Sequence, residues 1–331
     1  MYFLRLTVLV ILLASTTLLS GCNAPATSSG VDKSHRTDAA TPFEIVSTCG
    51  MVTDIVKQVA GSEATVIGIM NEGVDPHLYR PTSSDVKQLG EADVIFYSGL
   101  MLEGRMSDTF SQVQRTGIPV YAVTEGIDPK LLREPPEFAG HWDPHVWMDV
   151  QAWSACVSQI ADALSEFDPA HKETYEKNAK SYQNELTKLD DYVRKTIASI
   201  PDDQRVLVTA HDAFGYFSRA YQIEVKSVQG LSTESDADLK HINELVEFIC
   251  TRKIQAIFVE SSVSDRNIKA ILEGCGERGW EVKIGGSLFS DAMGAPNTYR
   301  GTYIGMMDHN ASVIAGALGG QAAEKGLNGK L

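Results

Sequence analysis

Short runs of β-branched and aromatic residues alternate along this chain with stretches whose apolar positions recur every three or four residues. The β-rich runs fall at 43–49, 64–70, 92–99 and 119–124, and again at 205–210, 224–229, 256–260 and 281–286. Helical spacing fills intervals at 51–60, 84–89 and 101–113 in the first half, and at 236–251 and 267–278 in the second. Strands separated by helices pair in parallel, and the crossover helices cover both faces of the sheet. The pattern predicts an α/β protein of two lobes, each a roughly four-stranded parallel sheet flanked by helices.

A longer stripe lies between the halves. Tyr175, Ala179, Tyr182, Leu186, Leu189, Val193 and Ile197 follow one another by steps of three or four. Asp168-Pro169 offers a helix start and Pro201 a stop. A helix of about 30 residues spans on the order of 45 Å, which suits a rigid spacer better than a flexible hinge. The other reading is a long surface helix in a single domain. The spacer divides the chain into an N-terminal lobe at 43–166, a linking helix at 167–200 and a C-terminal lobe at 201–331.

The first residues follow another pattern. Arg5 precedes an apolar run from Leu6 to Leu13, then small residues, then Leu19-Ser20-Gly21-Cys22. This is the layout of a secretory signal over 1–21, too short and interrupted for a comfortable membrane span. Its end resembles a bacterial lipobox, with Cys22 lipidated after cleavage. Residues 22–42 are rich in Ser, Thr, Ala, Gly and Pro and read as a flexible tether.

Charge and cysteines narrow the class. The 331 residues are 43% hydrophobic, enough for buried cores, and carry a formal charge of −14. No clustered Lys and Arg suggests a nucleic-acid surface. Cys49 and Cys156 read as small buried apolar residues, whereas Cys250 and Cys275 are conceivable as a bridge in an exported protein.

Candidate chemistry collects in four segments: Asp75-Pro76-His77 after the second β-run, Asp143-Pro144-His145 before Val146-Trp147-Met148-Asp149, His211 ending the fifth, and Asp291 after the last. Ligands of open α/β sheets bind beyond the carboxyl ends of strands. Two segments fall in each lobe, so an ion held among them would staple the lobes together. A lone His is otherwise a hydrogen-bonded surface or core residue, and an Asp beside Gly a turn former. The repeated Asp-Pro-His presents its imidazole from a stiff turn. Glu260 ends a strand nearby and reads as a support for one imidazole, with Asp75, Asp143 and Asp212 as similar candidates. Tyr79, Trp142, Trp147, Phe214 and Tyr303 are core residues or walls of the site. His35, His141, His171 and His241 read as solvated, and His309 as structural.

These segments resemble the zinc/manganese ABC-transporter solute-binding proteins, the TroA-like group. The resemblance runs from about 43 to 318 through Asp75-Pro76-His77-Leu78-Tyr79-Arg80-Pro81-Thr82, Asp143-Pro144-His145-Val146-Trp147-Met148-Asp149, Thr209-Ala210-His211-Asp212-Ala213-Phe214-Gly215-Tyr216-Phe217, Phe258-Val259-Glu260-Ser261-Ser262, Leu288-Phe289-Ser290-Asp291-Ala292-Met293-Gly294, Gly301-Thr302-Tyr303 and His309-Asn310. It implies one long helix between two lobes, metal ligation by His77, His145, His211 and Asp291, and delivery of Mn²⁺ or Zn²⁺, with Fe²⁺ as a further cargo, to an ABC permease and its ATPase. Such a protein is extracytoplasmic, held to the membrane through its lipid and monomeric, with no nucleic-acid partner. His211 stands where some members have Glu, a pattern associated with manganese, so zinc stays open. The short, His-poor stretch 125–142 lacks the His-rich loop of dedicated zinc members and tips the balance toward manganese or mixed use.

Rival readings are a zinc hydrolase with Glu260 as base, a surface adhesin, and a receptor for an organic metal chelate. No His-Glu-x-x-His pair favours the hydrolase, and no Arg cluster near the four segments favours the chelate. The expectation is a binding protein and not an enzyme.

Overall fold

The computed structural model describes residues 42–331. The signal at 1–21, Cys22, His35 and nearly all of the tether lie outside the described residues. No described helix is long and apolar enough to cross a membrane.

The first lobe runs β1 (Phe43–Ser47), α1 (Gly50–Ala60), β2 (Ala64–Gly68), α2 (Ser83–Glu91), β3 (Val94–Tyr97), α3 (Ser107–Gln114), β4 (Val120–Ala122) and α4 (Val150–Phe167). Its strands form one parallel sheet in the order β2-β1-β3-β4. β1 and β3, in the middle, read as nearly unbroken apolar runs because helices cover both faces. Helix α5 (Lys172–Ala198) follows a 3₁₀ turn at Pro169–His171. Its 27 residues span roughly 40 Å, and all seven stripe residues are buried.

The second lobe runs β5 (Val206–His211), α6 (Gly215–Tyr221), β6 (Glu224–Gln229), α7 (Leu239–Arg252), β7 (Ala256–Glu260), α8 (Arg266–Glu277), β8 (Lys283–Leu288) and α9 (Tyr303–Ala317). Its strands pair as two parallel ladders, β5 with β6 and β7 with β8, and β5 lies alongside β7.

One apolar cluster runs from β1 and α1 through α4 and α5 into α6 and α9. A second, smaller cluster fills the space beneath α7 and α8. The lobes therefore share a core, and α5 packs on α1, α4, α6 and α9.

Three expectations change. The helix read at 101–113 begins late: Gly99, Leu100 and Met101 all have positive φ, so the chain turns through a left-handed stretch and a 3₁₀ turn before α3. His171 is only partly solvated, at 25% exposure, and is also paired, its Nδ1 2.7 Å from Asp168 and its Nε2 3.3 Å from Glu63. The bridge conceived between Cys250 and Cys275 is not formed; the thiols are free neighbours across α7 and α8.

Candidate metal centre

Each lobe contributes two donors at its loop ends. His77 belongs to the loop between β2 and α2, and Asp75 Oδ1 accepts its backbone N–H at 2.9 Å. The second Asp-Pro-His repeats this turn, with His145 N–H donating to Asp143 Oδ1 at 3.0 Å. His145 does not follow a strand, however. It opens a 3₁₀ turn, Val146–Met148, that runs into α4, whose start Asp149 caps by accepting from Gln151 and Ala152 N–H. His211 is the last residue of β5. Asp291 lies three residues beyond β8, where Asn310 of α9 pins the chain by accepting from Phe289 N–H and donating to Phe289 C=O.

The four side chains converge, with one donor atom from each within 4.8 Å of the others. His77 and His145 Nε2 lie 3.2 Å apart. Asp291 Oδ2 is 3.1 Å from His211 Nε2 and 3.8 Å from His77 Nε2, and Oδ1 is 3.4 Å from His145 Nε2. His145, His211 and Asp291 are at most 1% exposed and His77 6%, so His77 stands at the margin of the cluster.

Carboxylates orient two of the rings. Asp143 Oδ1 lies 2.8 Å from His145 Nδ1, and Glu260 Oε2 lies 2.5 Å from His211 Nδ1. A carboxylate only accepts, so each Nδ1 carries the proton and each Nε2 faces the centre. Arg133 Nη1 pairs with the other oxygen of Asp143. Tyr216, from the opposite lobe, donates its hydroxyl to Asp143 C=O at 2.9 Å and accepts from Arg133 N–H at 3.0 Å. Asp75 accepts from Thr233 Oγ1 at 2.5 Å, a further bond between the lobes. Asp212, next to His211, donates its backbone N–H to the Gly230 carbonyl at 3.3 Å.

Burial and charge act in opposite directions here. Burial pushes His77 down to about 4. It would lower His145 too, but Asp143 and Asp291 outweigh it and raise that ring to about 9. Burial is likewise outweighed at His211, raised well above the ordinary range by Asp291 and Glu260, and at Asp291, held well below the carboxylate range by the facing imidazoles. Without a metal, the centre is a buried carboxylate balanced by protonated histidines.

These buried atoms face one another as ion pairs, yet His211 Nε2 and both oxygens of Asp291 make no well-aligned hydrogen bond. Four buried donor atoms converging on one point, with no aligned hydrogen bond to settle them, suit a cation at their middle. Three imidazoles and a carboxylate with no thiolate suit Zn²⁺ and Mn²⁺ alike. A cavity of about 200 Å³ reaches Asp291, and one of about 350 Å³ reaches His77. The second is lined by Leu100, Leu102, Phe138 and Pro144 together with Arg105, Ser232 and Glu234.

Of the aromatic residues considered as walls, only Trp147 touches the cluster, edge-on to His145 with centroids 5.3 Å apart. Trp142 is 36% exposed, Tyr79 donates to Asp85, and Phe214 and Tyr303 are core. His141 is exposed, while His241 Nε2 and His309 Nε2 lie within hydrogen-bond distance of the Ser227 and Ser287 carbonyls. Sequence reading missed Arg133, Tyr216 and Thr233, because nothing local marks a side chain that acts across a lobe boundary.

The family described as zinc-uptake complex component A, periplasmic, matches residues 45–317. The zinc-binding protein TroA of Treponema pallidum is 47% identical over 276 residues, 83% of this chain and 88% of that protein. The manganese-binding lipoprotein MntA of Bacillus subtilis is 42% identical over 306 residues, 92% of this chain and 97% of its own length. The solved structure of the periplasmic zinc-binding protein TroA from Treponema pallidum superposes with a TM-score of 0.81 at 46% identity, over 84% of this chain and 99% of that one.

Proposed function

This chain belongs to the family of zinc-uptake complex component A, periplasmic, and we propose that it captures Mn²⁺ or Zn²⁺ between its lobes and delivers it to an ABC importer, a permease with its ATPase. The ion is cargo. The observation that carries this reading is the buried set His77, His145, His211 and Asp291, drawn equally from both lobes, with one donor atom from each within 4.8 Å of the others. In this reading these four are the ligands, and Fe²⁺ is a further ion that such nitrogen and oxygen donors accept.

Capture is an exchange of protons for metal. Asp143 and Glu260 keep each Nδ1 protonated while the Nε2 proton is released to solvent and the freed lone pair takes the arriving ion. The ion then ties the lobes, and their shared core limits the motion to small rearrangements. Release follows when the importer parts the donors.

The setting is extracytoplasmic. In this reading 1–21 is a cleaved signal, Cys22 carries the lipid, 22–42 tethers a monomer to the membrane, and 43–166, 167–200 and 201–331 are lobe, linking helix and lobe. The lipoprotein name of the Bacillus relative supports the anchor. Catalysis is not part of it: Glu260, the base a hydrolase would need, is buried and has both oxygens on His211.

Metal-stripped protein offered Mn²⁺ and Zn²⁺ in buffered mixtures tests the proposal. One tightly held ion per chain is expected, weakened in His211→Ala and Asp291→Ala. Wild-type protein that holds no ion, or variants that bind normally, would refute it.

A further inference from the structure

One buried side chain links a donor of the first lobe to the residue that precedes a donor of the second. Trp147 follows His145 by two residues, and its ring packs edge-on against that imidazole. Its indole N–H crosses to the other lobe and donates to the Ser290 carbonyl at 2.8 Å, one residue before Asp291. Its own carbonyl accepts from the Tyr303 hydroxyl at 2.7 Å, and Tyr303 N–H donates to Asp54 on α1 at 3.1 Å. Trp147 and Tyr303 are both fully buried.

We propose that Trp147 is a positioning residue that sets the spacing between the donors of the two lobes. The indole is flat and stiff, so the separation between the face against His145 and the N–H on Ser290 cannot vary. That separation governs how far His145 Nε2 lies from Asp291 Oδ1, which is 3.4 Å. Without the N–H, the bond that registers Asp291 against His145 is gone, and more of that registration falls to the ion. Capture then includes the entropy of ordering the Asp291 loop, and release becomes easier. The inference rests on the metal-capture reading given above.

A neighbouring residue supplies the control. Trp153 is also buried and packs against Trp147 and Tyr303, but its indole N–H has no hydrogen-bond partner. Trp153→Phe thus removes the same atoms from the same core without touching a bond between the lobes.

The experiment follows Zn²⁺ release from the loaded full chain into excess chelator, and the melting temperatures of stripped and Zn²⁺-loaded protein. Trp147→Phe is expected to speed release about tenfold, the worth of one buried hydrogen bond. It should also narrow the Tm gap between loaded and stripped protein, while Trp153→Phe leaves both unchanged. A purely structural role would lower both Tm values equally with release as in wild type, and that result would overturn the proposal. If Trp147→Phe does not fold, Tyr303→Phe, which frees the Trp147 carbonyl, should speed release by a smaller factor; wild-type release in that variant would overturn the proposal instead. Failure of the wild type to hold Zn²⁺ would refute the capture reading itself, whereas tight wild-type binding with unaltered Trp147→Phe release would refute this inference alone.

Discussion

Glu260 holds His211 at two points: Oε1 accepts the backbone N–H at 2.9 Å and Oε2 faces ring Nδ1 at 2.5 Å. One carboxylate on β7 thereby fixes both the position and the tautomer of a histidine on β5. Glu260→Gln should bind Zn²⁺ roughly 10- to 100-fold more weakly, the usual cost of losing such an outer partner. Glu260→Ala should bind more weakly still and melt lower, because His211 N–H is left buried and unpaired. Competition titration against a chelator checks the first outcome and thermal denaturation of the stripped protein the second.

Metal affinity should keep rising to unusually high pH. His145 titrates near 9 in the stripped protein, so binding displaces its proton throughout the neutral range. Each displaced proton is worth roughly tenfold in affinity per pH unit. Affinity measured from pH 6 to 10 should climb until about 9, and calorimetry in two buffers should detect proton release at pH 7. A plateau above 6.5, where an ordinary histidine is neutral, would contradict this.

The stripped protein has its own pH profile. The fold favours protonated His145, whose contribution to stability is whole below about 6.5 and lost as pH climbs through about 9. His77 acts in the opposite sense: its neutral form is favoured, so its contribution is whole above about 6.5 and lost as pH falls toward 4. Stripped protein should be most stable near 6.5 and weaken on either side, and saturating Zn²⁺ should flatten the alkaline limb. Denaturant melts across that range test it.

The loop between β6 and α7 makes two bonds of unequal weight to the other lobe. Glu234 meets Arg105 at 2.7 Å, but both are substantially exposed, so Glu234→Gln should alter Zn²⁺ release by less than about fivefold. Thr233 donates to the more buried Asp75, which in turn holds His77 N–H. Thr233→Val should speed release about tenfold, as loss of a hydrogen bond to a charged partner would. Stopped-flow release with both variants fixes the order, and the reverse order would mean that the exposed pair governs.

Gly215 has no side chain because Arg133 occupies the place of one; a Cβ there would overlap the guanidinium. Gly215→Ala should therefore dislodge Arg133 from Asp143 and weaken metal binding in the same direction as Arg133→Ala. Since both act through one contact, the double variant should be no worse than the worse single one. Additive losses would show that Gly215 matters for another reason.

Local chemistry made much of this protein legible. The strand runs overlap all eight described strands because each is short and bounded by helical spacing, though β6 and β8 are largely polar and the run at 281–286 begins two residues early. The doubled Asp-Pro-His pointed to two stiff turns, and the turns have nearly the same N–H to Oδ1 distance. What stayed hidden depends on partners distant in sequence. Met101 carries no mark of its left-handed backbone, which Glu103 supports by accepting from Ser98 and Gly99 N–H just before it. His171 on a polar helix looked solvated because Glu63, its partner, lies more than a hundred residues away. Tyr216 read as part of an aromatic run, yet its hydroxyl reaches the carbonyl of Asp143 on the far side of the cleft.

The continuous core beneath both lobes, braced by α5 on four helices, gives the molecule a seam rather than a jaw. A jaw opens and shuts by thermal motion and loses its contents at random. A seam opens rarely on its own, so an ion caught here should leave slowly between encounters. In the transport reading, timing and direction are then set by the importer and not by this chain.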